Sequence, residues 1–206
     1  MPFDPNQLLN SPLGLHSFKP QAAPVPPIAP KEAEEIVSPP AYDKAMYRDA
    51  YSRLGLLSIA NVADLGCGCG NFTGVMVEKR QKPEVYIGVD FSHSQIKIAK
   101  AAYPGWNFIY GDFTNPQVIE KYERYEAYLL LHVLDTMPDE LPFLESIPEG
   151  KKIIFSMPRA EREGSLRYFP DNLSLKNRYS GILNIRSVGS FKTPQDTFSM
   201  VLAERW

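Results

Sequence analysis

The sequence predicts a doubly wound α/β domain that binds a ligand along the carboxyl edge of a parallel sheet. Short apolar runs alternate with helical patterns from Tyr42 to Phe155, the rhythm of parallel strands joined by helical crossovers. A turn with three alternating glycines follows the first run. The last two runs lie too close together for a helix between them, so they must pair antiparallel.

The elements follow in order. Tyr42 to Leu57 has helical spacing, with Ala45, Met46, Ala50, Tyr51 and Leu54 on one side. Asn61–Leu65 reads as a strand, Phe72–Lys79 as a helix, Val85–Val89 as a strand and Ser94–Ala102 as a helix. Trp106–Tyr110 is the third strand, Pro116–Tyr122 a short helix, Ala127–Leu131 the fourth strand. Leu141–Ile147 is helical and Lys152–Phe155 is the fifth strand. Gly181–Val188 and Thr197–Ala203 close the chain as a hairpin.

Residues 1–41 stand apart. Ten of the nineteen prolines fall in the first forty residues, a density that prevents regular helix or sheet. The expected organisation is an extended proline-rich tail over 1–41 and one folded domain over 42–206. Pro39-Pro40-Ala41-Tyr42 resembles the short peptides that WW-type domains bind, although such short matches are common and a proline-rich linker ending at a helix is the favoured reading.

Of the 206 residues, 44% are hydrophobic and the formal charge is −2. That suits one core and gives no strong pull towards nucleic acid or membrane. No apolar run approaches the ~18 residues needed to span a bilayer, and the N-terminus lacks a signal-peptide layout. The two cysteines, Cys67 and Cys69, both lie in the glycine turn, so a reducing cytoplasm is expected. Their C-x-C spacing falls short of a zinc pattern, and no metal is expected.

The chemistry concentrates in Val62-Ala-Asp-Leu-Gly-Cys-Gly-Cys-Gly-Asn71. Gly66, Gly68 and Gly70 let a ligand approach bare backbone. A dinucleotide fingerprint would read G-x-G-x-x-G, and here Asn71 stands in place of the third glycine. Asp64 would repel a phosphate but would suit a cation. S-adenosylmethionine (SAM) carries a sulfonium and an ammonium and no phosphate, so the turn favours SAM over NAD(P). Asp90 ends the second strand, where a carboxylate can accept from both ribose hydroxyls. It could instead cap the next helix, for which Ser92 and Ser94 are also available. Asp112 follows the third strand and can accept from an adenine amino group, with the backbone N–H of Phe113 offered to a ring nitrogen.

Taken together, the chain resembles the class I SAM-dependent methyltransferases. The resemblance covers Tyr42 to Trp206 and rests on Asp64-Leu-Gly-Cys-Gly-Cys-Gly70, Gly88-Val-Asp-Phe-Ser92, Gly111-Asp-Phe113 and Leu129-Leu-Leu-His-Val-Leu-Asp-Thr-Met137. It implies a Rossmann-like seven-stranded sheet of order 3-2-1-4-5-7-6 with the last strand antiparallel. It also implies a cofactor site of Asp64, Gly66, Gly68, Gly70, Asp90, Phe91, Gly111, Asp112, Phe113 and His132. The implied reaction is in-line methyl transfer that leaves S-adenosylhomocysteine.

His132 follows the fourth strand and should face the methyl group, as a general base or as part of the pocket wall. His93 should be a surface residue. The segment from Ser156 to Gly181 carries Arg159, Arg162, Arg167, Lys176 and Arg178 among Tyr168, Phe169 and Tyr179. By the resemblance it supplies the acceptor wall; Tyr47, Arg159, Arg167, Tyr168 and Tyr179 are the candidate acceptor contacts, and a solvated loop and helix is the alternative. Residues 151–206 hold ten basic and five acidic side chains, whereas 41–150 hold ten and fifteen. A small-molecule or protein acceptor is expected over nucleic acid. The alternatives are a SAM-fold binding protein without turnover and an NAD(P)-dependent oxidoreductase.

Overall fold

In the computed structural model, residues 41–56, 58–115, 123–192 and 196–206 are described. The proline-rich tail and the expected helix at 116–122 lie outside them. The described elements run α1 (Ala41–Leu56), β1 (Asn61–Leu65), α2 (Asn71–Glu78), β2 (Val85–Asp90), α3 (His93–Ala102), β3 (Phe108–Tyr110) and β4 (Ala127–Leu130). Then follow α4 (Leu141–Ser146), β5 (Lys152–Pro158), α5 (Asn172–Tyr179), β6 (Leu183–Lys192) and β7 (Thr197–Arg205).

The seven strands form one sheet in the order β3-β2-β1-β4-β5-β7-β6. The first five pair in parallel, and β7 runs antiparallel to both β5 and β6. Strand alternation divides the core in two. Val62, Tyr86, Leu129 and Ile154 pack with Met46, Phe72, Met76 and Ile96 from α1, α2 and α3. Ala63, Leu65, Ile87, Leu130, Ile153 and Phe155 face the other way, onto Phe143, Leu144, Leu175 and Tyr179 of α4 and α5. The central strands are therefore buried on both faces, which is why they read as continuous apolar runs.

Several boundaries differ from expectation by one to four residues, and three of the differences bear on packing or pairing. β3 starts at Phe108, two residues late, because Trp106 leaves the strand to stand edge-on to Tyr86 at 5.2 Å beneath the Lys82 ammonium. β5 continues to Pro158 because β7 supplies partners as far as Phe198. β6 reaches Lys192, which shortens the hairpin connection and adds a bulge between Ile185 and Ser187. The helix α5, inside the segment expected to form the acceptor wall, starts on an Asp171 carboxylate that accepts the Ser174 N–H at 2.7 Å.

Candidate active site

Parallel pairing places the carboxyl ends of β1, β2, β3 and β4 side by side. The turn after β1 is anchored through its backbone: the N–H groups of Gly66 and Cys67 both donate to the Val89 carbonyl, at 2.7 and 3.1 Å. Gly66 has φ +79, and a Cβ on it would meet Val133 Cγ2 at 2.4 Å. The loop after β4 thus packs directly on the turn. Gly68 has φ +54, and a Cβ there would find nothing nearer than 3.9 Å. Gly66 is bare for packing, whereas Gly68 is bare towards open space. Gly70, the N-cap of α2, backs onto the Tyr103 ring.

Asp90 ties the turn to β2. Its Oδ2 accepts the Gly68 N–H at 2.9 Å and its Oδ1 the Ser92 N–H at 2.7 Å. Each carboxylate oxygen accepts two hydrogen bonds, so both retain a free lone pair. Capping of α3 falls to the Ser92 hydroxyl, which accepts from Gln95 N at 3.4 Å. Phe91, next to Asp90, is 70% exposed, a large bare ring at the strand tip. The Gly111 N–H donates to the Asp90 carbonyl at 3.0 Å. Asp112 Oδ1 accepts both the N–H and the hydroxyl of Thr114. The Phe113 ring is buried against Phe143, so only its main chain faces outward chemistry. His93 is exposed, edge-on to Tyr110.

Asp64 is buried on β1. Its Oδ2 accepts the Tyr86 hydroxyl at 2.8 Å, and that hydroxyl accepts from Thr73 at 3.0 Å. Burial, reinforced by the nearby Asp90 and opposed by the Tyr86 hydrogen bond, pushes the Asp64 carboxyl up to about 7. A cation beside it would restore the charged form. The Asp64–Tyr86–Thr73 chain is not legible in the sequence, since the three residues sit on different elements. Cys67 and Cys69 are buried, and burial pushes both thiols up, so they remain protonated and inert at neutral pH. Among the described residues no group of three or more His, Cys, Asp or Glu could hold a metal.

The loop after β4 is built differently. His132 has φ +57, unusual for a residue with a side chain, and its N–H donates to the Ser156 hydroxyl at 2.8 Å. The imidazole stands edge-on to Phe198, 4.9 Å between ring centres. Its Nδ1 lies 3.4 Å from Arg162 Nη1. A guanidinium only donates, so Nδ1 accepts and the neutral ring carries its proton on Nε2. Burial lowers the imidazole's proton affinity and Arg162 lowers it further, against the fields of Asp135 and Asp196.

The expected acceptor contacts separate. Tyr168 is exposed. Tyr47 lies over the end of the glycine turn, 3.5 Å from Asn71 Nδ2. Arg159 donates to Ser199 at 3.0 Å and to Asn172. Arg167 and Tyr179 are not brought to the cleft. Glu140 is fully buried, and a buried carboxylate needs partners. Arg167 pairs with it at 2.8 Å, Arg178 at 3.1 Å, and the buried Tyr179 hydroxyl donates at 3.3 Å. Arg162, Phe198 and Ser156 around His132 were not singled out from sequence; β7 brings Phe198 there from far along the chain.

Residues 47–149 match the model of the FtsJ-like methyltransferase family. Trans-aconitate 2-methyltransferase of Escherichia coli K12 is 31% identical over 101 residues, 48% of this chain and 40% of that protein. The enzyme of the same name from Azoarcus sp. BH72 is 31% identical over 121 residues, 58% of this chain and 47% of that protein. The chain thus spans less than half the length of the curated relatives it matches. Among solved structures, magnesium protoporphyrin IX methyltransferase from Synechocystis PCC 6803 with bound SAM superposes with a TM-score of 0.60 at 15% identity, covering 80% of each chain. The N-methyltransferase NodS from Bradyrhizobium japonicum WM9, in complex with S-adenosylhomocysteine, reaches 0.61 at 13% identity and covers 85% of this chain and 97% of its own.

Proposed function

Because the chain belongs to the FtsJ-like methyltransferases, within the class I SAM-dependent group, we propose that it binds SAM across the ends of β1 to β4 and methylates a small-molecule acceptor. The observation that carries this reading is the grouping of the open Gly68 backbone, the two free lone pairs of Asp90 and the bare Phe91 ring around one strand tip. These residues fit an adenosine carrying a cation. Asp90 accepts from the ribose diol, Phe91 offers a flat apolar face to the purine, and Asp112 with the Phe113 main chain takes the adenine edge. Gly68 and Gly111 keep the floor bare, while Gly66 and Gly70 let the turn pack closely on Val133 and Tyr103. Asp64 supplies negative field from beneath the turn. The family match removes the oxidoreductase alternative.

When bound, SAM supplies an electrophilic methyl group that a nucleophile takes in line, leaving S-adenosylhomocysteine. The chain's part is to hold the two partners collinear and exclude water. With Nδ1 engaged by Arg162 and its proton affinity depressed, His132 serves as an Nε2–H donor that positions the acceptor rather than as a base. The relatives named for methylating trans-aconitate, a small molecule, support the acceptor class over a protein side chain. No described helix is long and apolar enough to cross a membrane, and we place the reaction in the cytoplasm.

Calorimetric titration with SAM tests the reading. Asp90→Ala should weaken binding by about 1–3 kcal/mol, and an unchanged affinity in a folded variant removes Asp90 from the site. The proline-rich residues before Tyr42 are the candidate segment for a WW-type partner; deleting residues 1–38 should leave SAM affinity intact, and a large loss would show that they contribute to the pocket. Tight SAM binding with no S-adenosylhomocysteine released from any acceptor would favour a binding protein without turnover.

A further inference from the structure

We infer that Arg162 recognises a carboxylate on the acceptor, with the His132 Nε2–H as second donor, and so determines which molecules are methylated. The inference rests on the methyltransferase reading and adds the chemistry of its acceptor.

Location is the first argument. Val133 packs on Gly66, which sets His132, its chain neighbour, beside the glycine turn. Arg162 lies against His132. The second argument is elimination. The segment from Ser156 to Gly181 holds four arginines. Arg159 is tied to Ser199 and Asn172, and Arg167 and Arg178 are tied to the buried Glu140. Arg162 is held loosely. Its carboxylate partner, Asp196, lies 4.0 Å from Nε, beyond hydrogen-bond range, and a third of its side chain is exposed.

The third argument is geometry. The Arg162 guanidinium lies over the Phe198 ring, 5.2 Å from its centre. A guanidinium resting on an aromatic face keeps its donor edge available for a bidentate partner. The planar fork matches a carboxylate. Two acids compete with an incoming anion. Asp135 is buried and turned to the Ser165 hydroxyl at 2.6 Å, and Asp196 must give up its contact. One cation facing two acids tolerates a planar monoanionic group better than a doubly charged phosphate.

The test is release of S-adenosylhomocysteine from SAM with succinate, citrate and trans-aconitate, their neutral amides, a phosphorylated sugar and a primary amine. Carboxylates should turn over and their amides should not. Arg162→Gln should raise the KM for the carboxylate roughly tenfold or more, the loss of one charged hydrogen-bonded pair, and leave SAM affinity unchanged. Arg162→Lys should recover part of the loss. Asp196→Asn should lower KM, because the competing carboxylate is gone. The inference is overturned if amides serve equally, if Arg162→Gln leaves KM unchanged, if Asp196→Asn raises it, or if the phosphate or the amine is preferred. It is also overturned if SAM binds and no carboxylate is methylated. Failure to bind SAM would instead sink the methyltransferase reading. The anion site is then read without SAM, from the rise in melting temperature with citrate. A rise lost in Arg162→Gln supports the site, and no rise in the wild type refutes it.

Discussion

The glycine turn and the segment after β5 are held by different forces. On the cofactor side the main chain does the positioning: Gly66 and Cys67 donate to Val89, Gly68 donates to Asp90, and Gly111 donates back to the Asp90 carbonyl. In the segment after β5 the work falls to side chains far apart in sequence. Arg178 reaches Glu140 across 38 residues, and Ser165 reaches Asp135 across 30. A backbone-built site is nearly insensitive to which side chains surround it. A region built from ion pairs changes when one partner changes.

The sharpest way to break this contrast is to remove Glu140. Its loss strands Arg167, which is 85% buried, and leaves the Tyr179 hydroxyl unpaired. Glu140→Ala should cost about 3–5 kcal/mol of stability in urea unfolding, the usual range for a broken buried pair. The fraction that folds should bind SAM normally. A stable variant that has lost SAM affinity would mean that the two sides are not independent.

Gly66→Ala probes the other side and should cost somewhat less. A Cβ there combines positive φ with a 2.4 Å approach to Val133 Cγ2. Strain and overpacking together should cost about 2–4 kcal/mol. Here stability and SAM affinity should fall together, because the proposed cofactor site is built on this turn. Gly105→Ala, where a Cβ meets nothing within 4 Å, is the matched control and should be near neutral. A Gly66→Ala protein with full stability would show that the loop after β4 yields easily.

The same contrast explains what the sequence revealed. The alternation of strands and helices, the glycine turn, and Asp90 and Asp112 at successive strand ends all follow from short-range signals: apolar period, glycine spacing, and a carboxylate ending a strand; the sheet order is implied by the family resemblance. The turn needs residues adjacent in the chain, so its pattern survives in one dimension. The roles of Arg167 and Tyr179 did not, because nothing near them in sequence announces that Glu140 is buried beside them. Arg162 looked the same as its neighbouring cations until the fold gave the others partners. β6 and β5 ran longer than expected for a related reason: strand length there is set by pairing across the sheet with β7, not by local propensity.

The smallest expected effect tests the cofactor side by pH. Burial raises Asp64 from its ordinary 3.8 to about 7. An acid raised on folding stabilises through its protonated form, fully below pH ~4, and loses that contribution as pH rises through about 7. Asp64→Asn should therefore be more stable than wild type at pH 8, by about 1–2 kcal/mol, with the gap closing as pH falls from 7 towards 4. A bound cation reverses the balance by favouring the carboxylate. SAM affinity in the wild type should rise with pH through 7, and binding at pH 6.5 should release protons, visible as calorimetric heats that depend on the buffer. Both effects should vanish in Asp64→Asn. Wild-type binding that releases no protons would leave Asp64 as a partner of Tyr86 alone, and the cation would have to be met by some other group at the turn.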